Sequence, residues 1–181
     1  IAAQVPDLVL IDVALPGNFM AAPVAARIST LAPQSSPTNK VLPGLSRLTQ
    51  RFSYAERVAL VQASVMALEQ RNGVRVVRGL TTDTGGFTQV TTRRIVDFAK
   101  AGIRQAGNAF IGRLNNERVR AALHAAIDGF LTSMLVEEQL TDYNLEVTAT
   151  RRDEIEGRAI VNVLLQPTFS IDFVAVTLVL Q

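Results

Sequence analysis

The sequence has no cysteine, no tryptophan, one histidine and only two lysines in 181 residues. Without cysteine there is no disulfide, no thiolate nucleophile and no thiolate metal site. One histidine leaves too few nitrogen ligands for an ordinary zinc centre. Aromatics are 6% of the chain, which removes most stacking platforms for sugars or single-stranded nucleic acid. Long uncharged runs are also missing. The longest, residues 13–26 and 159–171, contain proline and fall short of the roughly 18 residues a membrane span needs. No membrane insertion is expected. The chain starts at Ile1, and no basic segment precedes an apolar one. No secretory leader is expected, and the non-Met start suggests a piece of something longer.

What is present is apolar. Hydrophobic residues make up 48% and charged residues 19%, with a mean hydropathy of +0.23. That composition excludes a disordered or collagenous chain. A chain of this length buries about 70% of its unfolded surface, enough for one core without staples. The expectation is a single domain over residues 1–181, with residues 169–181 as an extended arm.

Net charge is +2, unevenly placed. Residues 1–120 hold 15 Lys/Arg against 7 Asp/Glu, and residues 121–181 hold 3 against 9. Sixteen of the eighteen cations are arginine. One reading is a composition inherited from genome base usage. The other is a polar molecule whose basic surface meets an acidic surface of a neighbour, a task suited to the planar arginine fork. The cations are dispersed without interleaved aromatics, so direct nucleic-acid binding is not expected.

The local pattern is α/β. Residues 8–13 (LVLIDV) form a β-branched run that stops at Leu15-Pro16-Gly17. Residues 21–30 read as a short helix, and the proline-rich stretch 32–44 as an irregular loop. Ser53 and Glu56 fit a capping box. The helix they start carries Tyr54, Val58, Val61, Val65 and Leu68, with Asn72-Gly73 as its stop. Residues 74–80 follow as a strand and 82–86 as a turn. Thr91/Thr92 to Ala106 reads as a second helix, with Ile95, Ala99, Ile103 and Ala106 on one side. Asn115/Asn116 caps a third, whose stripe is Val119, Leu123, Ile127, Phe130 and Met134. This longest element is expected to lie across a sheet. Residues 144–150, 158–165 and 170–180 read as strands, separated by a charged turn at 151–157 and by Gln166-Pro167. The last, apolar strand is either buried or donated to a partner, since an exposed edge is an aggregation hazard.

No catalytic constellation is visible. His124 sits among alanines mid-helix, and a packed helical histidine is expected there. No G-x-S-x-G elbow exists. Glu137-Glu138 and Asp153-Glu154-Glu156 are adjacent acids of a kind that usually forms a solvated edge. Gly85-Gly86 lacks the Lys-Ser/Thr of a phosphate loop. No cofactor and no metal are expected, and the chain is not expected to be an enzyme.

Several segments in order resemble the C-terminal half of contractile tail sheath proteins of phages and related injection particles. They are Ser36-Pro37-Thr38-Asn39-Lys40 with Leu42-Pro43-Gly44, and Phe52-Ser53-x-x-Glu56 through Leu68-Glu69. Val74 to Thr82 looks like a strand closing in an R-G-x-T-T turn, and Thr92-Arg93-Arg94-Ile95-Val96-Asp97-Phe98 like the helix after it. Arg158 to Leu180, with Pro167 before the last strand, is similar to paired terminal strands. Trp, frequent in the family near the second helix, is absent, with Phe87 at the comparable place.

The resemblance implies an α/β (α+β) fold, a mixed sheet flanked by helices, with a long C-terminal β-arm added to a neighbouring subunit's sheet. It implies a structural subunit that polymerises with itself as hexameric rings around an inner tail tube protein, and that contracts to drive the tube through a bacterial envelope. A baseplate and a tail terminator are further implied partners. The location implied is the virion tail or contractile particle, assembled in the bacterial host cytoplasm. The arm would comprise Phe173, Val174, Ala175, Val176, Thr177, Leu178, Val179 and Leu180, flexing in residues 166–170. Its two faces would be Phe173, Ala175, Thr177, Val179 and Val174, Val176, Leu178, Leu180. Arg113, Arg118 and Arg120 are expected to face the tube. The alternatives are an α/β hydrolase-like enzyme with acids near Glu137 or Asp153, or a small binding module.

Overall fold

A computed structural model of the chain describes residues 8–10 and 13–179. The described residues gather into two compact units, one up to Thr91 together with the stretch from Phe169, the other Thr92–Thr168.

In the first unit, β1 (Leu8–Leu10), β2 (Val13–Leu15) and β3 (Arg47–Leu48) make an antiparallel sheet in the order β2-β1-β3. The run read as one strand is thus two, with residues 11 and 12 outside the described residues. A single 3-10 turn at Gly17–Met20 leads into α1 (Ala21–Ser29). The capping box forms as read. The Ser53 hydroxyl accepts from Glu56 N, and the Glu56 carboxylate accepts from Ser53 N at 2.7 Å. These bonds hold the Glu56 carboxyl below its ordinary range.

Helix α2 is shorter than its apolar spacing suggests, running only over Tyr54–Gln62. Ser64 takes φ +57°, Ser64 N donates to Val61 O and Val65 N to Leu60 O. That paired closure is a Schellman motif with serine in the left-handed position usually held by glycine. Asn72-Gly73, read as the helix stop, is a hairpin tip instead. Both residues have positive φ and join β4 (Leu68–Gln70) to β5 (Val74–Val76), the role Asn-Gly favours between short strands. Met20, Leu42, Leu45, Leu48, Leu68, Val74 and Val76 form the core of this unit.

In the second unit, α3 (Val90–Asn108, from Thr92 onward in this unit) and α4 (Glu117–Val136) pack with the antiparallel hairpin of β6 (Leu140–Thr148) and β7 (Ile160–Pro167). Asn116 caps α4 by accepting from Val119 N at 2.9 Å. Ile95 and Ala99 of α3 and Leu123, Ile127, Leu131 and Met134 of α4 are buried. The hairpin alternates as a half-buried sheet must. The register Tyr143↔Leu165, Leu145↔Val163, Val147↔Val161 puts all six side chains against that core.

Two readings change here. The charged turn is a short helix, α5 (Arg151–Ile155), with its own capping box between Thr150 and Asp153. Helix α4 is also long and apolar enough, by length and composition, to cross a membrane. Its charged residues, Glu117, Arg118, Arg120 and Asp128, interrupt any long uncharged run. Its four buried residues make it a core helix of this unit.

The class is α+β as read, with the strands of the described residues divided among three small antiparallel sheets. Residues 168–179 form neither helix nor strand within one copy, where a terminal strand was read. A strand needs a partner edge to exist.

Candidate functional site

The first unit carries a polar cluster built on the last described stretch. The Asp172 side chain is 3% exposed. Its Oδ1 accepts from Thr38 Oγ1 at 2.9 Å and Ser170 Oγ at 3.3 Å, and its Oδ2 from Arg78 Nε at 2.6 Å and Gln89 Nε2 at 3.0 Å. Charge-assisted bonds of this kind are the short, strong ones.

Main-chain bonds place each donor. Asn39 N donates to Val76 O and Leu42 N to Val74 O, which lays residues 39–42 along β5. Asn39 sits at φ +58°, where its carbonyl and side-chain oxygens accept from Arg75, and its side-chain oxygen also from Arg71. Thr38 Oγ1 accepts from Gly79 N at 3.0 Å and Ser36 Oγ at 2.8 Å, so its own hydrogen is aimed at Asp172. Gly79 must be glycine, because a Cβ there would lie 2.6 Å from Pro37 Cγ. Val90 N donates to Gly79 O and fixes Gln89 beside Arg78. The Gln89 amide also grips the main chain at residue 170, accepting from Ser170 N and donating to Ser170 O. The S-P-T-N-K and R-G-L-T-T segments therefore converge on one carboxylate.

Beyond Asp172 the side chains turn outward. Phe173, Val174, Val176, Leu178 and Val179 are 75–87% exposed, and Arg78 Cζ lies 5.9 Å from the Phe173 ring centroid. Leu180 falls outside the described residues. In the stretch expected to flex, Gln166 and Pro167 pair in β7, Thr168 N donates to Gln139 O, and Ser170 is held by Gln89.

The second unit holds a groove of about 410 Å³ lined by Ile103, Phe110, Ile111, Leu114, Leu123 and Ile127 among others, with Arg104, Arg113 and Arg120 beside it. The three arginines expected to face a tube differ in setting. Arg120 donates to Glu154 at 2.9 Å and to the Asn115 side chain at 3.1 Å. Arg113 lies 5.0 Å over the Phe110 ring. Arg118 is exposed.

The acidic clusters are engaged in ion pairs and hydrogen bonds. Asp153 accepts from Thr150 and Arg158, Glu154 from Arg120 and Arg151, and Glu156 from Arg152 and Arg158. Thr150 first, then Arg158, holds the Asp153 carboxyl below its ordinary range. Arg120, then Arg151, does the same for Glu154. Glu137 accepts from Gln139 at 2.7 Å. His124 is a helical histidine whose Nε2 lies 3.3 Å from Leu145 O. Among the described residues no three His, Cys, Asp or Glu side chains sit together as metal ligands.

The description "Phage tail sheath C-terminal domain" matches residues 82–181, more than half of the chain. The chain belongs to the phage tail sheath family. Solved structures share its fold. A chain of the anti-feeding prophage baseplate is similar at TM-score 0.85 and 18% identity, over 97% of this chain and 53% of that one. A chain of the contracted sheath complex of the extracellular contractile injection system PVC is similar at TM-score 0.81 and 19% identity, over 96% and 54%. A sheath tail protein of Listeria innocua is similar at TM-score 0.77 and 17% identity, over 91% and 42%. This sheath chain therefore spans about half the length of the solved chains it matches. No curated protein matches it in sequence. The family is one of structural proteins, not enzymes, and the hydrolase alternative is set aside.

Proposed function

We propose that the chain is part of a structural subunit of a contractile tail sheath. The subunit polymerises with itself as stacked hexameric rings around an inner tail tube protein. Contraction drives the tube through a bacterial envelope. The observation that carries the reading is the run of exposed apolar side chains at residues 173–179, which has no strand partner among the described residues.

Such a segment matches an open sheet edge. The β6–β7 sheet has only two strands among the described residues, so each presents an outer row of main-chain donors and acceptors. Adding residues 173–179 of a neighbouring copy to one of those rows satisfies both partners. Burying each large apolar side chain stabilises by about 1.5–3 kcal/mol, while ordering each residue costs about 1–2 kcal/mol. The margin per arm is narrow, which suits a lattice held by many arms at once.

The sheath reading places the protein in a virion or particle tail, assembled in the bacterial host cytoplasm, with a baseplate and a terminator at its ends. Arg113 and Arg118 are the tube-facing candidates, joined by Arg120 only where its pair with Glu154 opens.

Negative-stain microscopy of the full-length protein tests this. Regular rods are expected from the full chain, and soluble, folded, unpolymerised material from a chain stopped after Asp172. Normal rods from the shortened chain would remove strand donation from the account.

A further inference from the structure

We infer that Asp172 is the positioning residue of the terminal segment, its buried carboxylate fixing the root so that the free part begins at Phe173 and not at Gln166-Pro167. The inference rests on the reading of residues 173–179 as a segment completed by another copy. It adds the residue that sets where that segment starts.

The four donors around Asp172 come from Thr38, Arg78, Gln89 and Ser170. The first three belong to stretches already fixed by main-chain bonds of Asn39, Gly79 and Val90. The receiving set is therefore organised before the segment arrives, whereas the segment has no helix or strand of its own. A buried carboxylate is costly unless its lone pairs are filled, and here each oxygen has two donors. The Gln89 amide adds a second grip by pairing with both main-chain groups of Ser170. Immediately after this doubly held site, Phe173 is 78% exposed. A tether held at its root searches a smaller volume and loses less entropy when it docks than one loose from Pro167 onward.

Neither oxygen tolerates an amide nitrogen without loss. One faces Arg78 and Gln89, which only donate there. The other faces Thr38 Oγ1, which already accepts from Gly79 N and Ser36 Oγ, so that only the Ser170 hydroxyl could turn to accept there. Asp172→Asn should loosen the site, and Asp172→Ala should release it.

Amide exchange on the full chain, below its assembly concentration, reads the site directly. Residues 168–172 should exchange roughly tenfold faster or more in Asp172→Ala than in the parent, from the loss of several bonds to a charged group. Residues 173–179 should be unprotected in both. The concentration needed for rods should rise roughly tenfold in the same variant. Asp172→Asn and Arg78→Lys, which keep shape or charge, should lie between the two. Equal exchange at residues 168–172 in parent and Asp172→Ala overturns the inference. Faster exchange with an unchanged assembly threshold overturns it too. The chain stopped after Asp172 separates the two readings. If it still forms rods, strand donation fails whatever the exchange at residues 168–172.

Discussion

Arg78 and Asp172 are 94 residues apart in sequence, and their side chains meet at 2.6 Å. The arginine is partly exposed and the carboxylate nearly closed off, so the acid is the member that depends on the pair. The contact ties the R-G-L-T-T turn to the start of the terminal segment. It turns a sequence motif of no evident chemistry into a mechanical feature of the first unit.

Gly102 of α3 is opposite the Phe130 ring of α4, and a Cβ at position 102 would clash with the Cζ end of that ring. Gly129, also helical, has open space at its Cβ position. Gly102→Ala should destabilise by about 1–3 kcal/mol through overpacking. Gly129→Ala should stabilise by about 0.5–1 kcal/mol through helix propensity. Chemical denaturation of both variants checks the opposite signs.

Ser64 and Glu138 occupy left-handed positions at the ends of α2 and α4, and Glu138 N donates to Leu135 O and Gln139 N to Met134 O, the same Schellman closure as at Ser64. A side chain there costs roughly 1–2 kcal/mol relative to glycine, offset in part by the greater freedom of an unfolded glycine. Ser64→Gly and Glu138→Gly should each raise stability by about 0.5 kcal/mol or more. A fall in the denaturation midpoint for either would contradict the Schellman assignment.

The carboxyls of Asp153, Glu154 and Glu56 are held below their ordinary range. A depressed folded-state pKa adds stability above the unfolded value, roughly pH 4, and that contribution is lost as pH falls through the folded value. Stability should therefore be flat from pH 7 to about 5 on account of these groups, then drop as acid protonates them. Asp153→Asn should shrink the drop. Thermal melts across pH 3–7 measure it.

Arg120 is paired with Glu154 at 2.9 Å, while Arg118, two residues away, is exposed. Arg120→Glu should lower the stability of the isolated protein, and Arg118→Glu should leave it within about 0.5 kcal/mol of the parent. On the tube-contact reading, Arg118→Glu should weaken attachment to the tube protein while sheath polymerisation persists. Co-sedimentation with purified tubes separates the two effects.

The helices and their caps were legible in residues 53–56 and 115–136, because capping and apolar spacing are local signals. The early end of α2 was not legible. Its stop uses serine in place of glycine, and the apolar spacing continues past it into β4. Asn72-Gly73 carried the right signal for a hairpin and was outweighed by that spacing. Helix α5 hid in a charged stretch, since Thr150 and Asp153 form a capping box less familiar than serine with glutamate. The cluster around Asp172 was beyond reach, because its partners are Thr38, Arg78 and Gln89. Only the fold brings four such distant positions together. The apolar run at residues 173–179 was legible, but its exposure was not, because an apolar strand reads the same whether its own copy buries it or another copy takes it.

The most direct measurement is a cryo-EM map of rods grown from the full-length protein, at a resolution that traces the main chain through residues 173–179. The account predicts that this stretch leaves Asp172 and hydrogen-bonds as a strand to a sheet edge of another copy. A trace that folds it back as a strand on its own copy would contradict the account.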